Sequence, residues 1–320
     1  MNNFAAILKL IGRNRTFVLA THHNPDADAI GSVLAMALFL KSLGKQVRVF
    51  NEDKVPQWLS FLPQTALVRQ AKGTKAFDYD VAIVLDCGDL KRIGAVSALL
   101  SPSKPIVNID HHITNDRFGS VNCIVHQSSS TSEILFDLFQ SAKFKITKDI
   151  ATLLYAGIMT DTGSFRYECT SAHTHVVAAH LMDKGVSAPD MYNRLYVGIP
   201  VKDMKLFTDV IHRAELLFNN QVYCVTLSML GAKKFSKNFD LKEKLFGFLR
   251  SMEGVEVVVI LTELSSKEVR VNLRSQGDFD VARFAQHFDG GGHPKAAGCK
   301  VLASLPVAKK KILSAIRKAL

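Results

Sequence analysis

The chain has 320 residues, 48% of them hydrophobic and 22% charged, with a formal charge of +11. That length suffices for two sizeable cores, and the composition excludes a disordered or collagen-like chain. No apolar run reaches the ~18 residues that span a bilayer, and the N-terminal stretch has no long apolar h-region or small-residue cleavage site, so a cytoplasmic protein with no membrane partner is expected.

Five cysteines stand singly at 87, 123, 169, 224 and 299, a spacing that makes neither a zinc knuckle nor a disulfide framework. The charge is uneven: residues 1–200 hold 20 Lys+Arg against 17 Asp+Glu, whereas residues 201–320 hold 20 against 12. A basic second half beside a nearly balanced first half suggests that the second half receives an anion.

Along the first half, strand and helix signals alternate. Phe17–Ala20 is a short apolar run, and Ala29–Leu43 has helical spacing with Gly44 as its stop. Gln46–Phe50 alternates as a strand, while Val81–Leu85 and Ile106–Ile109 are short buried strands that end in polar residues. Ser130 to Glu133 reads as a capping box opening the helix ILFDLFQ, and Asp149–Thr160 reads as a further helix. Such alternation predicts a mainly parallel sheet flanked by helices on both faces.

Pro189, Gly198 and Pro200 mark a connector, and from Val222 the strands VYCVTL, VEVVVILTEL and VRVNLRS alternate with helices. The expected organisation is an α/β metal-binding domain at 1–190, a linker at 191–215 and a smaller α/β domain at 216–320, facing one another across a cleft. The basic stretch VAKKKILSAIRKAL at the C-terminus is expected as a helix with a solvated face.

Ligands bind beyond the carboxyl ends of the strands in a parallel sheet. Three strands here end in metal-binding chemistry: THHNPDAD after the first, LDCGD after VAIV, and IDHH after IVN. A fourth segment, GIMTDTGSF, adds Asp161. His22, Asp26, Asp28, Asp86, Asp110, His111, His112 and Asp161 would thus meet at one edge. Unpaired carboxylates crowded there would repel one another, and divalent cations remove that cost. Mixed Asp/His ligation without cysteine favours Mn²⁺, with Mg²⁺ or Co²⁺ as alternatives, and so many acids suggest two ions sharing bridging carboxylates.

HxNPDxDxxGS, the LD after an apolar strand, the DHH triplet and the TDTG turn resemble the DHH superfamily of phosphoesterases. The far end, VNLRSQGDFDVARFAQHFDGGGHPKAAG, is similar to that family's nucleotide-binding DHHA1 domain. A two-domain chain of this length resembles the stand-alone members, oligoribonucleases that also act as 3′-phosphoadenosine 5′-phosphate phosphatases. The resemblance implies His22, Asp26 and Asp28 on the metals, Asp86 and Asp161 bridging or joining them, and His111 on the second ion. It implies His112 facing the scissile phosphate, with Asp110 orienting it from behind.

The residues of the second domain fit such a substrate. Gly290, Gly291 and Gly292 offer backbone N–H groups for an anion-binding nest, and His293 adds a donor. Arg274, followed by Ser275, can grip phosphate bidentately or stack on a base. A terminal nucleotide held there would set a short reach to the metals, favouring short RNA oligonucleotides and nucleotides over long RNA. A linear or cyclic dinucleotide phosphodiesterase is the nearest alternative. An inorganic pyrophosphatase is disfavoured by GGGH, and a RecJ-like single-strand DNA exonuclease by the missing extra domains. A noncatalytic nucleotide- or RNA-binding module is disfavoured by the complete ligand set. Oligomeric state is open, a homodimer included.

Overall fold

The computed structural model describes residues 3–75, 77–197, 200–236, 241–249 and 251–320. It divides into two units, Met1–Val197 and Gly198–Leu320.

The first unit is built on strands β1 (Thr16–Ala20), β2 (Gln46–Asn51), β3 (Val68–Gln70), β4 (Val81–Leu85), β5 (Ile106–Asp110) and β6 (Val121–Ile124). They pair in parallel in the order β3-β2-β1-β4-β5-β6. Every residue of β4 is buried, as a central strand covered on both faces requires. One face carries helices α1 (Phe4–Arg13), α2 (Ala27–Ser42), α3 (Thr131–Ser141) and α4 (Lys148–Asp161). The other is covered by a 3-10 segment, Leu90–Leu99, through Ile93, Val96 and Leu99. The strand order changes direction between β1 and β4, and the crevice beyond the carboxyl ends at such a point is where open α/β sheets bind ligands.

Helix α2 is buried around almost its whole circumference, and two glycines explain how it lies so close to α4. A Cβ on Gly31 would stand 2.5 Å from the Leu153 carbonyl oxygen, and one on Gly157 would stand 2.2 Å from Ser132 Oγ and 2.5 Å from Asp28 Oδ1. Gly44 ends the helix region with a left-handed φ of 73°.

The expected connector at 191–215 is mostly helical. Helix α5 (Ala172–Asp183) is followed by α6 (Ala188–Tyr196), which belongs to the first unit: Met191 is buried, and the Tyr196 hydroxyl donates to the Met159 carbonyl at 2.8 Å. Helix α7 (Val201–His212) opens the second unit. Pro189 sits in the first turn of α6 and Pro200 is the N-cap of α7, positions where proline starts a helix instead of breaking one. Gly198 lies outside the described residues.

The second unit holds strands β7 (Glu215–Leu217), β8 (Val222–Leu227), β9 (Val257–Ser265), β10 (Glu268–Ser275), β11 (Gly291–His293) and β12 (Ala296–Val301), in the order β11-β12-β10-β9-β8-β7. All neighbours are antiparallel except β8 and β9. After α7, its helices among the described residues are α8 (Met229–Lys233), α9 (Leu241–Leu249), α10 (Val281–Gln286) and α11 (Leu305–Ala319). Val269, Val271 and Leu273 of β10 pack with α10 and α11 on one face. On the other, Val258 and Ile260 of β9 pack with Leu245, Phe246 and Leu249 of α9. Helix α11 buries Ala308, Ile312 and Ile316 and leaves Lys310, Lys311, Arg317 and Lys318 in solvent. No helix among the described residues is long and apolar enough to cross a membrane.

Candidate metal centre

The carboxyl ends of β1, β4 and β5 deliver the first-unit candidates to one place. After β1 come His22 and Asp26; Asp26 is the N-cap of α2, its Oδ1 accepting from the Ala29 amide at 3.0 Å while Oδ2 faces His22 Nε2 at 3.9 Å. Asp86 follows β4 in a left-handed conformation with φ 52°, a region that aspartate enters more readily than most residues. Its amide donates to the Ile109 carbonyl at 3.0 Å, which ties the end of β4 to β5. Asp110 closes β5, His111 and His112 follow it, and Asp161 is the last residue of α4. Beyond it Gly163, Ser164 and Phe165 all have left-handed φ, so the chain turns sharply away.

Asp86 stands at the middle. Its Oδ2 is 3.4 Å from His22 Nε2, and its Oδ1 is 3.6 Å from both His111 Nε2 and His112 Nδ1. Three donor sets include it: His22 with Asp26, Asp28 with His111, and Asp110 with His112, the atoms of each set lying within 4.8 Å of one another. His111 Nε2 also meets Asp161 Oδ2 at 3.1 Å. Asp110 is tied otherwise: its Oδ1 is 2.7 Å from His112 Nδ1, and its Oδ2 accepts from Asn115 Nδ2 at 2.6 Å. The His112 Nδ1–H thus points at Asp110. His23 turns outward to the Arg92 carbonyl at 2.9 Å.

The electrostatics reflect negative charge without enough positive charge. Burial, reinforced by the charge of Asp86, pushes the Asp28 carboxyl up to about 7. Burial and the charge of Asp28 push Asp161 well above the usual carboxylate range. Burial alone would lower His111, but Asp161, Asp86 and Asp28 together raise it well above the ordinary histidine range. His22 is raised likewise, Asp86 and Asp26 outweighing its burial. Asp86 and Asp110 are held low: burial opposes this, but the neighbouring histidines win at both. The Cys87 thiol is buried and pushed up to about 12, so it takes no part as a thiolate.

In the second unit, Arg274, Ala296 and His293 form one row across β10, β12 and β11, so the three side chains share a face of the sheet. The Arg274 guanidinium lies over the Phe246 ring of α9, 4.6 Å from its centroid. Ser275 faces the opposite way, buried, with its hydroxyl donating to the Gly277 carbonyl at 3.4 Å. The three glycines do not form the expected loop nest. Gly290 precedes the edge strand β11, which contains Gly291 and Gly292, and two of the three are glycine for packing reasons. A Cβ on Gly290 would stand 2.3 Å from the Gly298 carbonyl oxygen. One on Gly292, whose φ is 145°, would stand 2.4 Å from the Ala296 carbonyl oxygen. Gly291 meets nothing within 4 Å.

Residues 16–158 match the model of the DHH family N-terminal domain, and residues 225–320 match that of the DHHA1 domain. A bifunctional oligoribonuclease and PAP phosphatase NrnA of Thermus thermophilus is 31% identical, over 100% of this chain and 94% of that protein. The chain belongs to the DHH family. A protein of the same description from Bacillus subtilis is 27% identical over 92% of both chains. The crystal structure of an exopolyphosphatase-related protein from Bacteroides fragilis superposes with a TM-score of 0.89, at 27% identity, covering 99% of this chain and 96% of that one.

DHH phosphoesterases depend on metal, and the donors gathered here suit one. Carboxylate and imidazole in the absence of thiolate make a site for a hard or borderline divalent cation. Around this DHH centre lie partners that sequence reasoning missed. Thr131 and Ser132 donate their amides to Asp28 Oδ2 and Oδ1 at 2.8 and 2.9 Å. Asn115 also links Asp110 to Asn108 Oδ1 at 2.9 Å. The run SSSTSE was legible only as a helix start, and there the reading needs correction. Ser130 caps Glu133 N at 3.1 Å, but the Glu133 carboxylate turns to the Ser128 and Ser129 hydroxyls, so the reciprocal half of a capping box is not made. The helix begins at Thr131, and a full capping box is made at Ser171 and Thr174.

Proposed function

We propose that this phosphoester hydrolase cleaves very short oligoribonucleotides to mononucleotides, and 3′-phosphoadenosine 5′-phosphate to AMP, with two divalent cations, Mn²⁺ foremost. One observation carries the reading: a single buried carboxylate, Asp86, shares donor sets no wider than 4.8 Å with His22 and Asp26, with Asp28 and His111, and with Asp110 and His112. Similarity over the full length to the Thermus and Bacillus proteins supports the substrate class.

In this reading His22 and Asp26 would hold one ion, Asp28 and His111 the other, and Asp86 and Asp161 would join them. Such a pair lowers the pKa of a bound water and neutralises charge on the phosphoryl oxygens. Asp110 accepts from His112 Nδ1–H and fixes the ring, so that its far edge is turned to the scissile phosphate. In the second unit, the Arg274 guanidinium, braced by Phe246, and His293 on the same sheet face grip a terminal phosphate or base. Ser275 is buried on the other face, so its contribution is to the strand and not to the ligand.

The test is turnover of dinucleotides, a long RNA, 3′-phosphoadenosine 5′-phosphate and pyrophosphate, each with Mn²⁺ or Mg²⁺. The expected pattern is turnover of dinucleotides and the bisphosphate, with little on long RNA. Preferential hydrolysis of long RNA or pyrophosphate would refute it.

A further inference from the structure

From the contacts of α3, we propose that Thr131 is a positioning residue that sets the distance and orientation between Asp28 and Asp86. The inference rests on the reading that these two carboxylates hold metal. Thr131 is fully buried at the first position of α3, 103 residues after Asp28 and 45 after Asp86. It has two donors and directs one to each carboxylate: its amide to Asp28 Oδ2 at 2.8 Å, its hydroxyl to Asp86 Oδ1 at 3.2 Å.

The helix has no use for that hydroxyl. The cap of α3 is Ser130, whose Oγ accepts from Glu133 N, so a threonine one position later is free of capping duty. Asp86, in contrast, is short of fixed partners. Its backbone is in the left-handed region, and its other neighbours are three imidazole nitrogens at 3.4–3.6 Å, each with its own second carboxylate to face. A hydroxyl donor on Oδ1 stops the carboxylate rotating and leaves its remaining lone pairs directed at His22 and His111. Because one residue holds both acids, a shift of α3 moves them together and keeps their separation. Residues that orient a metal ligand from behind typically contribute about 10- to 100-fold to metal affinity.

The test uses the full chain and Mn²⁺ alone, read by electron paramagnetic resonance and by titration calorimetry without substrate. Thr131→Val keeps shape and amide but removes the hydroxyl; Thr131→Ala removes hydroxyl and bulk; Thr131→Ser keeps the hydroxyl. Mn²⁺ affinity should fall by about 10- to 100-fold in the Val and Ala variants and return close to the parent value in Ser. The metal-free melting temperature of each variant shows whether the fold is kept. Parent-like affinity and spectrum in a folded Val or Ala variant would overturn the assignment, as would equal losses in all three. Asp86→Asn separates this from the underlying reading. If it binds Mn²⁺ normally, Asp86 is not a ligand; if it fails while Thr131→Val binds normally, only the role of Thr131 is lost.

Discussion

His111 Nε2 and Asp161 Oδ2 meet at 3.1 Å, joining the end of β5 to the end of α4 across 50 residues of sequence. With Asp86 Oδ1 3.6 Å from the same Nε2, that nitrogen faces two acids proposed to hold metal. Asp86→Ala or Asp161→Ala should therefore lose bound Mn²⁺ and hydrolysis while keeping the far-ultraviolet dichroism of the parent. Elemental analysis and a phosphodiesterase assay check this; normal metal content and rates in both would refute the ligand assignment.

His112 differs from His111 in being committed to Asp110, 2.7 Å from its Nδ1. His112→Ala should keep Mn²⁺ occupancy and lose turnover by ~10²–10⁴, the usual worth of one positioned acid or donor. Asp110→Asn should lose less, because Asn115 still holds the side chain. Loss of one metal equivalent in His112→Ala would mean that the roles of the two histidines are reversed.

Without metal, the raised groups make stability fall as pH rises. Asp28 binds its proton up to about 7 against 3.8 unfolded, and Asp161, His22 and His111 are raised as well. Each contributes stability that is complete below its unfolded pKa and is lost as pH passes its folded one. Asp86 and Asp110, held low, act in the opposite sense, but only in acid below the ordinary carboxylate range. In chelator, Tm should therefore fall from about pH 5 to pH 8. Mn²⁺ competes with those protons, so the rise in Tm on adding it should be larger at pH 8 than at pH 6. Thermal scans at each pH decide the matter, and a Tm in chelator that rises over this range contradicts it.

Arg274→Ala removes a charge-assisted contact worth ~1.5–3 kcal/mol, roughly 10- to 150-fold in affinity. The loss should fall on dinucleotides and 3′-phosphoadenosine 5′-phosphate, mainly in KM. Bis-p-nitrophenyl phosphate, too small to use the second unit, should be spared. Comparing kcat/KM on all three distinguishes substrate grip from structural support, for which the losses would be equal.

The glycines of β11 should separate by position. Gly290→Ala and Gly292→Ala force a Cβ against the backbone of β12 and should destabilise the second unit by ~1–3 kcal/mol. Gly291→Ala meets open space, so its Tm should match the parent's. Denaturant melts monitored on each variant test the order.

Much of this was legible because strands and ligands share local signals. VAIVL and VYCVTL stand in the structure with the ends read from sequence, and α4 differs by one residue at each end. What was missed depends on partners distant in sequence. The brief edge strand β11 has only glycines and a histidine, and exists because β12 pairs with it. Helices α6 and α7 looked like a connector because proline marks both helix starts and breaks. Thr131 carries no local sign of its hydrogen bond to Asp86, and the packing role of Gly157 appears only once α4 lies against α2.

The way α3 begins also provides an isotopic clock. The first amides of a helix have no intrahelical acceptor and usually exchange with solvent early. Those of Thr131 and Ser132 are buried and donate to Asp28, so their deuterium uptake waits for the α2–α3 contact to open. Slow exchange at these two amides in the metal-free protein would show that the carboxylate is held before any cation arrives. Rapid exchange there, beside a protected α3 interior, would show a helix formed before its acid is docked.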